Sequence, residues 1–188
     1  MNSFWSMKKS MIMRNLVIIP LLLAACMAQA QVIYPKKGYE EINIGVTYED
    51  VIWILGFDGS KISKDSAPEM LKAPADELGI DYDYIVNFRY IMDYPVTSAY
   101  FKGNLAVMFT FSSYPEYNQF ICQDIQTSNG LKFWDNLDKV KSLYGNTPLK
   151  LNYSEGNQTY YAYKDAGICL GLDSNQVRTV LIFDPDFK

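Results

Sequence analysis

The 188-residue chain contains no histidine, and this absence removes several kinds of chemistry at once. Without an imidazole there is no Ser-His-Asp triad, no Cys-His pair and no histidine ligand for zinc. The chain also lacks a P-loop, a G-x-S-x-G motif, a CxxC pair and the ligand pattern of an EF-hand. We therefore expect a protein that is not an enzyme and that holds no cofactor or metal.

Three pairs of closely spaced aspartates are the remaining candidates for acid–base chemistry. The pairs are Asp81 with Asp83, Asp135 with Asp138, and Asp184 with Asp186. A glycosidase can work with two carboxylates alone. Nothing in the sequence around these pairs indicates burial, however, and most carboxylates of folded proteins are exposed. The pattern favours solvated charges at turns and helix starts, so a carboxylate enzyme is the least favoured function.

Long apolar runs are also absent, and the one short run has the organisation of a secretory signal peptide. Lys8, Lys9 and Arg14 form a basic start with no acidic residue, and the apolar run Leu16–Ala25 follows. That run has ten residues, whereas a membrane-spanning helix needs about 20. We predict a signal peptide at residues 1–25, or alternatively 1–30, and export by a Gram-negative bacterium.

Two cleavage sites compete at the end of this segment. Leu23–Cys26, with the sequence LAAC, is similar to the lipobox at which cleavage leaves a cysteine for lipidation. Ala28–Ala30, with the sequence AQA, suits ordinary signal peptidase and would leave Gln31 as the first residue. We favour lipidation of Cys26, which predicts an outer-membrane lipoprotein held by its acyl chains. The second site predicts a periplasmic or secreted protein.

Basic residues are too few to balance the acidic ones after export. Removing the first 25 residues takes three basic residues and no acidic one, which leaves 14 basic against 21 acidic residues and a net charge of −7. An acidic chain repels nucleic-acid phosphates and anionic lipid head groups. We expect no nucleic-acid partner, and no membrane contact except through a lipid anchor.

Cysteine is scarce, since only Cys122 and Cys169 remain once Cys26 is lipidated or removed. The two are 47 positions apart, and in an oxidising compartment they could form a disulfide. Sequence spacing gives no geometry for such a bond, so two buried free thiols on separate strands are the favoured alternative.

Two segments of the chain share one pattern of residues. Gly45–Gly59, GVTYEDVIWILGFDG, is echoed by Gly130–Pro148, GLKFWDNLDKVKSLYGNTP. In both, a valine is followed five residues later by a glycine, Val51 by Gly56 and Val140 by Gly145. Each segment predicts a helix that ends at the glycine.

Local signals refine these helices and add another. Thr47 and Asp50 are spaced as a helix-capping pair. Between the first helix and the strands, Ser66 and Glu69 form an S-x-x-E box with Pro68 in the first turn, which predicts a short second helix in an insertion.

Alternating apolar residues between turn signals predict several strands after each helix. The segments are Tyr82–Tyr90, Asn104–Phe111, Asn118–Ile125, Leu149–Tyr153, Thr159–Lys164, Gly167–Leu172 and Gln176–Phe183. We predict an α+β fold of two tandem helix-plus-antiparallel-sheet repeats packed as one unit. Repeat 1 spans residues 41–127 and repeat 2 spans 128–188, and a tether at 26–40 joins them to the signal peptide.

The order of helix, glycine and antiparallel sheet resembles a known superfamily. GVTYEDVIWILG is similar to its pattern G-[MV]-T-x-x-[DEQ]-V-x-x-[IL]-L-G, and VKSLYGNTP with YAYKDAGICLGL follows the same layout. The superfamily includes the small outer-membrane assembly lipoproteins of the barrel-insertion machinery and the tandem-repeat β-lactamase inhibitor proteins. The resemblance covers about residues 41–188 and implies a curled sheet and a binding function, with no particular partner.

Tyrosine is abundant, and all 15 copies follow residue 30. Tyrosine suits protein interfaces, although it is also simply a good strand former. The candidates for a binding surface are Tyr82, Tyr84, Tyr90, Tyr160, Tyr161 and Tyr163. Adjacent Tyr160 and Tyr161 point to opposite faces of a strand. We expect the sheet face away from the helices to bind an envelope or extracellular protein, which predicts an envelope binding or assembly module or, alternatively, a secreted inhibitor of a hydrolase.

Overall fold

The computed structural model describes residues 31–55, 59–88, 96–113, 125–155 and 157–187. The predicted signal peptide with Cys26 lies outside these ranges, as do Gly56, Tyr90 and Cys122. The α-helices in the described ranges are α1 (Tyr48–Leu55), α2 (Glu69–Leu78) and α3 (Leu137–Tyr144). None of these three has the length and apolar character that a membrane-spanning helix requires.

The described strands outnumber the helices and form two sheets. They are β1 (Val32–Tyr34), β2 (Gly38–Tyr39), β3 (Ile42–Asn43), β4 (Ser60–Ser63), β5 (Tyr84–Asn87), β6 (Val96–Lys102), β7 (Leu105–Ser112), β8 (Gln126–Thr127), β9 (Leu149–Glu155), β10 (Gln158–Tyr163), β11 (Ile168–Asp173) and β12 (Gln176–Phe183). The predicted α+β class is confirmed, with sheet as its main component.

The larger sheet joins two meanders through their last strands. Its order is β4-β5-β6-β7-β12-β11-β10-β9, and every neighbouring pair is antiparallel. At the junction of β7 with β12, Phe111 lies opposite Val180 and Phe109 opposite Ile182. The four apolar side chains make this junction part of the core.

The smaller sheet contains residues that the sequence predicts as a tether. β1 pairs antiparallel with β2 and parallel with β8, which gives the order β3-β2-β1-β8. Ile33 and Tyr39 in this stretch are buried in the core. The tether prediction is therefore wrong from Val32 onward, because these apolar side chains pack inside the fold despite the polar residues between them.

Side-chain caps fix where α1 and α3 begin. Thr47 Oγ1 accepts a hydrogen bond from the Asp50 N–H at 3.2 Å and donates one to the Asp50 carboxylate at 2.8 Å, which confirms the predicted pair. α3 begins after Asn136, whose side-chain oxygen accepts from the Lys139 N–H at 2.9 Å. α3 ends at Gly145, whose φ of +102° favours glycine.

α2 forms in the predicted insertion, but its start differs from the prediction. Pro68 occupies the cap position before Glu69, the first helical residue. Ser66 lies in the preceding 3-10 turn, where its hydroxyl accepts from Ser63 at 3.0 Å. The predicted Ser66 cap is therefore wrong. α2 ends at Gly79 in the left-handed conformation.

Both faces of the larger sheet are buried, each against different elements. One face, the α1/α3 face, packs against Val51 of α1, Val140 of α3 and the smaller sheet. The opposite face, the α2 face, packs against Ala75 and Leu78 of α2. Gln31–Lys188 form one compact unit around this sheet.

The sequence predicts the second meander more closely than the first. β12 has the predicted bounds, and β7, β9, β10 and β11 agree within two residues at each end. In the larger sheet, the prediction misses β4 and β6. Six of the seven residues of β6 are buried, so its sequence shows no polar alternation, and β4 is a polar strand at the edge of the sheet.

Candidate functional site

The five described candidate tyrosines do not form one exposed surface. Tyr82 and Tyr160 are buried on the α2 face, at 1% and 2% exposure. Tyr84, Tyr161 and Tyr163 pack on the α1/α3 face, where Tyr163 is buried and the other two are partly buried. Adjacent Tyr160 and Tyr161 lie on opposite faces, as predicted. The prediction of an exposed tyrosine surface is wrong, because α2 covers the face that the prediction left open.

Two tyrosine hydroxyls fasten α2 to the sheet. Tyr100 on β6 donates to the Leu71 carbonyl at 2.7 Å, and Tyr153 on β9 donates to the Met70 carbonyl at 3.1 Å. Pro74 lies inside α2 and has no N–H, so it cannot pair with the Met70 carbonyl four residues earlier. Tyr153 supplies the donor that the helix lacks at this point.

These two bonds require the α2 face to be concave. Strands β6 and β9 lie five positions apart in the sheet. In a flat sheet that separation is about 24 Å, at about 4.8 Å per strand. Tyr100 and Tyr153 nevertheless reach neighbouring carbonyls of one helical turn. The sheet therefore curves around α2, which lies across its inner surface.

A carboxylate of α2 also holds the sheet edge. The two Glu77 oxygens accept hydrogen bonds from the backbone N–H groups of Asn152 and Tyr153 on β9, at 2.7 and 2.6 Å. Lys164 follows β10, and its ammonium group donates a hydrogen bond to the Leu78 carbonyl at 3.1 Å. α2 thus joins the β9 end of the sheet through polar contacts as well as apolar ones.

A cavity of about 130 Å³ remains between the first half of α2 and the concave sheet. Its apolar part includes Leu71 and Pro74 of α2 together with Tyr100, Tyr160 and Leu181 of the sheet. Its polar part consists of one amide and five hydroxyl side chains, Asn87, Thr97, Ser98, Thr110, Ser112 and Thr179. None of the described residues that line it carries a charge. The cavity is the candidate functional site, since convergent polar groups in an apolar pocket are typical of binding sites.

The hydroxyls of this site are arranged in a partly satisfied cluster. Thr97 Oγ1 lies 3.2 Å from the Thr110 carbonyl and 3.4 Å from Ser112 Oγ. Thr179 Oγ1 donates to the side-chain oxygen of Gln158 at 2.9 Å. Thr110 Oγ1 is buried and has no hydrogen-bond partner among the described residues. The sequence analysis missed these residues, although the alternation of phenylalanine with Thr110 and Ser112 in FTFS marks a strand face that carries hydroxyls.

The paired aspartates lie outside this cavity and none is buried. Asp81 and Asp83 both approach the Lys102 ammonium at 2.9 Å. The Gly103 N–H and the Lys102 ammonium lower the pKa of the Asp83 carboxyl, which keeps it ionised rather than available as an acid. In the described part of the chain, no group of three Asp, Glu or Cys side chains is placed to hold a metal ion.

Cys169 is a buried free thiol on β11. Its burial raises the pKa of the thiol well above the usual range, so the group is an unreactive part of the core. Its proposed disulfide partner, Cys122, lies outside the described residues.

No protein-family model, curated protein or solved structure matches the chain. The candidate site is therefore characterised by its own geometry and chemistry.

Replacing Tyr82 with phenylalanine is expected to leave the fold intact at pH 7 and to raise its stability by up to about 1 kcal/mol. The Tyr82 hydroxyl is buried with no hydrogen-bond partner among the described residues, so its removal leaves no group unpaired. Chemical denaturation at pH 7 measures the difference. A loss of more than about 1 kcal/mol would contradict this account of the hydroxyl.

The same variant should also change the response to alkaline pH. Burial, with the nearby Asp76 and Glu69 carboxylates, raises the pKa of Tyr82 to about 12 from its usual 10. The folded protein therefore keeps this proton where the unfolded chain loses it, and stability falls as pH rises from 10 to 12. The stability lost over this pH range because of Tyr82 is up to about 3 kcal/mol. The variant should lose correspondingly less stability over this range than the parent protein.

Proposed function

We propose that this chain is an exported, lipid-anchored, non-catalytic binding module of the bacterial cell envelope that recognises a protein partner at its concave sheet face. The observation that supports it best is the uncharged cavity between α2 and the sheet. Met70, one of the lining residues, is 42% exposed, so a partner at the protein surface can reach the cavity. The carboxylate pairs that an enzyme would need lie elsewhere and are solvated.

We also propose that the two meanders are tandem repeats, with repeat 1 at 41–127 and repeat 2 at 128–188. Each helix cap forms an antiparallel bridge with the first residue of the last strand that its own half gives to the larger sheet, Thr47 with Leu105 and Asn136 with Gln176. Four residues after each cap stands a fully buried valine. The symmetric strand order, in which the two last strands meet, supports the same duplication.

Further backbone bonds support the equivalence of the two halves. In the first half, the residue after Leu105 donates to the carbonyl of Val46, one residue before the cap. In the second half, Val177 donates to the carbonyl of Asp135, which holds the matching position. Both bonds are 2.9 Å long. One local pattern is therefore used twice, at sites that are far apart in sequence.

Lipidation of Cys26 would hold this domain close to the membrane. The first strand begins at Val32, six positions after Cys26. A fully extended chain spans at most about 3.5 Å per residue, so the connection reaches roughly 20 Å. An anchor this short suits a module that acts at the membrane surface.

The proposal is tested by affinity capture from envelope extract, with the purified protein and a Ser98→Leu variant as bait. Ser98 is buried and lines the cavity, so leucine there fills the site. We expect a protein captured by the parent and lost by the variant, with both baits showing the same circular dichroism and a melting temperature within a few degrees. A partner retained equally by a folded variant would refute recognition at this face.

Mass spectrometry of the amino terminus tests the anchor separately. A diacylated or triacylated Cys26 and membrane association are expected, and Cys26→Ser should release the protein or block its processing. A mature protein that begins at Gln31 and is found free would refute the anchor and favour the secreted inhibitor instead.

A further inference from the structure

The size of the cavity limits what it can hold. Its volume is about 130 Å³. Binding sites for whole drug-sized molecules measure roughly 300–1,000 Å³. An engineered cavity of about 150 Å³ in another protein holds a single benzene molecule. The space therefore suits one ring-sized group rather than a complete larger ligand.

The lining of the cavity offers two kinds of contact. Tyr100, Leu181 and Leu71 offer apolar contact, and the hydroxyls of Ser98, Thr110 and their neighbours offer hydrogen bonds. The absence of charged residues from the described lining disfavours an ionised group, whose desolvation would have no compensation. The fitting group has an apolar body and an uncharged polar tip.

Thr110 supplies the specific contact that such a tip would make. Thr110 is one of the lining residues, and its Oγ1 is buried and has no hydrogen-bond partner among the described residues. A buried hydroxyl left unpaired is costly, and a ligand hydroxyl would relieve that cost. A phenol group meets all three conditions of size, polarity and charge.

We propose that this cavity binds an uncharged phenol group presented by a protein partner, that is, a tyrosine side chain that inserts between α2 and the sheet. The proposal deepens the proposed function and rests on it. Thr110 binds the phenol hydroxyl, and the walls formed by Tyr100 and Leu181 contact the ring. A single buried aromatic anchor of this kind can carry much of the affinity of a protein interface.

NMR titration of the isotope-labelled protein tests the proposal, with phenol, benzene, benzoate and the blocked peptide acetyl-Gly-Tyr-Gly-amide as probes. Phenol is expected to shift the resonances of Thr97, Thr110 and Thr179 in a saturable way. Benzene should bind about three- to tenfold more weakly because it lacks the hydroxyl. Benzoate should not bind. The tyrosine peptide should bind at least as tightly as phenol.

Two variants test whether phenol binds in this cavity and at Thr110. Thr110→Val keeps the shape of the side chain and removes its hydroxyl, so phenol and benzene should then bind with about equal affinity. Ser98→Leu fills the cavity and should weaken both probes at least tenfold. Unchanged melting temperatures, within a few degrees, show that both variants fold.

Several results would overturn the proposal. Failure of phenol to shift the cavity resonances would refute the site, and a phenol preference that survives Thr110→Val would refute the assigned contact. Binding of free phenol without binding of the peptide would refute a protein-borne group. Loss of partner capture by Ser98→Leu together with failure of phenol would leave the proposed function standing and remove only this inference.

Discussion

Gly167→Ala is expected to destabilise the protein by about 3–5 kcal/mol, the largest effect of any single methyl group that we propose to add. Gly167 has a φ of +65°, where a side chain is strained. A Cβ at this position would lie 2.3 Å from the Phe183 carbonyl oxygen and 2.5 Å from Lys36 Cγ. The carbonyl belongs to the backbone at the end of β12, so it cannot move aside without breaking the sheet.

Gly103→Ala is the matched control for this prediction. Gly103 also has a positive φ, at +58°, but an added Cβ would meet no atom within 4 Å. Only the backbone strain applies, so the expected loss is about 1–2 kcal/mol. Urea denaturation followed by circular dichroism compares the two variants. Equal losses of stability in the two variants would show that the contacts of the added Cβ with Phe183 and Lys36 contribute nothing to the cost at Gly167.

Gly167 also illustrates a limit of sequence-based prediction. The KDAG segment is readily identified as a turn, and the strands on either side of it agree with the prediction within one residue. Nothing in the KDAG sequence indicates that Lys36 lies against this turn. That contact depends on the small sheet, whose residues are polar enough to resemble a tether. Only the burial of Ile33 and Tyr39 in the assembled core reveals the sheet.

The candidate site was missed for a related reason. The periodicity of β5, β7 and β12 predicts which side chains share a face, but it does not say what covers that face. α2 is short and carries four charged residues among its ten, and its placement depends on hydroxyls of Tyr100 and Tyr153. These residues lie 29 and 83 positions from the carbonyls that they contact. Local sequence patterns predict individual helices and strands well. They do not predict which distant element packs over a given sheet face.

Glu77→Ala is expected to cost about 3 kcal/mol and to loosen the edge of the sheet at β9. The register of β9 with β10 is irregular here, since three residues of β9 stand opposite Tyr160 alone. Asn152 and Tyr153 lie in that irregular stretch, and Glu77 accepts from both of their N–H groups. Hydrogen bonds to a charged acceptor contribute roughly 1.5–3 kcal/mol each, with partial recovery by water at this half-exposed site.

Glu77→Gln and Asp76→Asn separate the causes of that loss. Glutamine keeps one acceptor oxygen but turns an NH₂ toward the other N–H, so a loss of about 1–2 kcal/mol is expected. Asp76 is the neighbour of Glu77 on α2, and its carboxylate makes an exposed ion pair with Lys64 at 3.4 Å, so its variant should lose less than about 1 kcal/mol.

Hydrogen exchange then distinguishes a local from a global role for α2. If the helix holds the β9 edge as the contacts indicate, Glu77→Ala should speed amide exchange at Asn152 and Tyr153 more than at the β7–β12 junction in the centre of the sheet. Equal acceleration at both places would mean that the carboxylate supports the whole fold. Because α2 also forms one wall of the cavity, a local loosening should weaken phenol binding in the same variant, which links the stability of this helix to the proposed function.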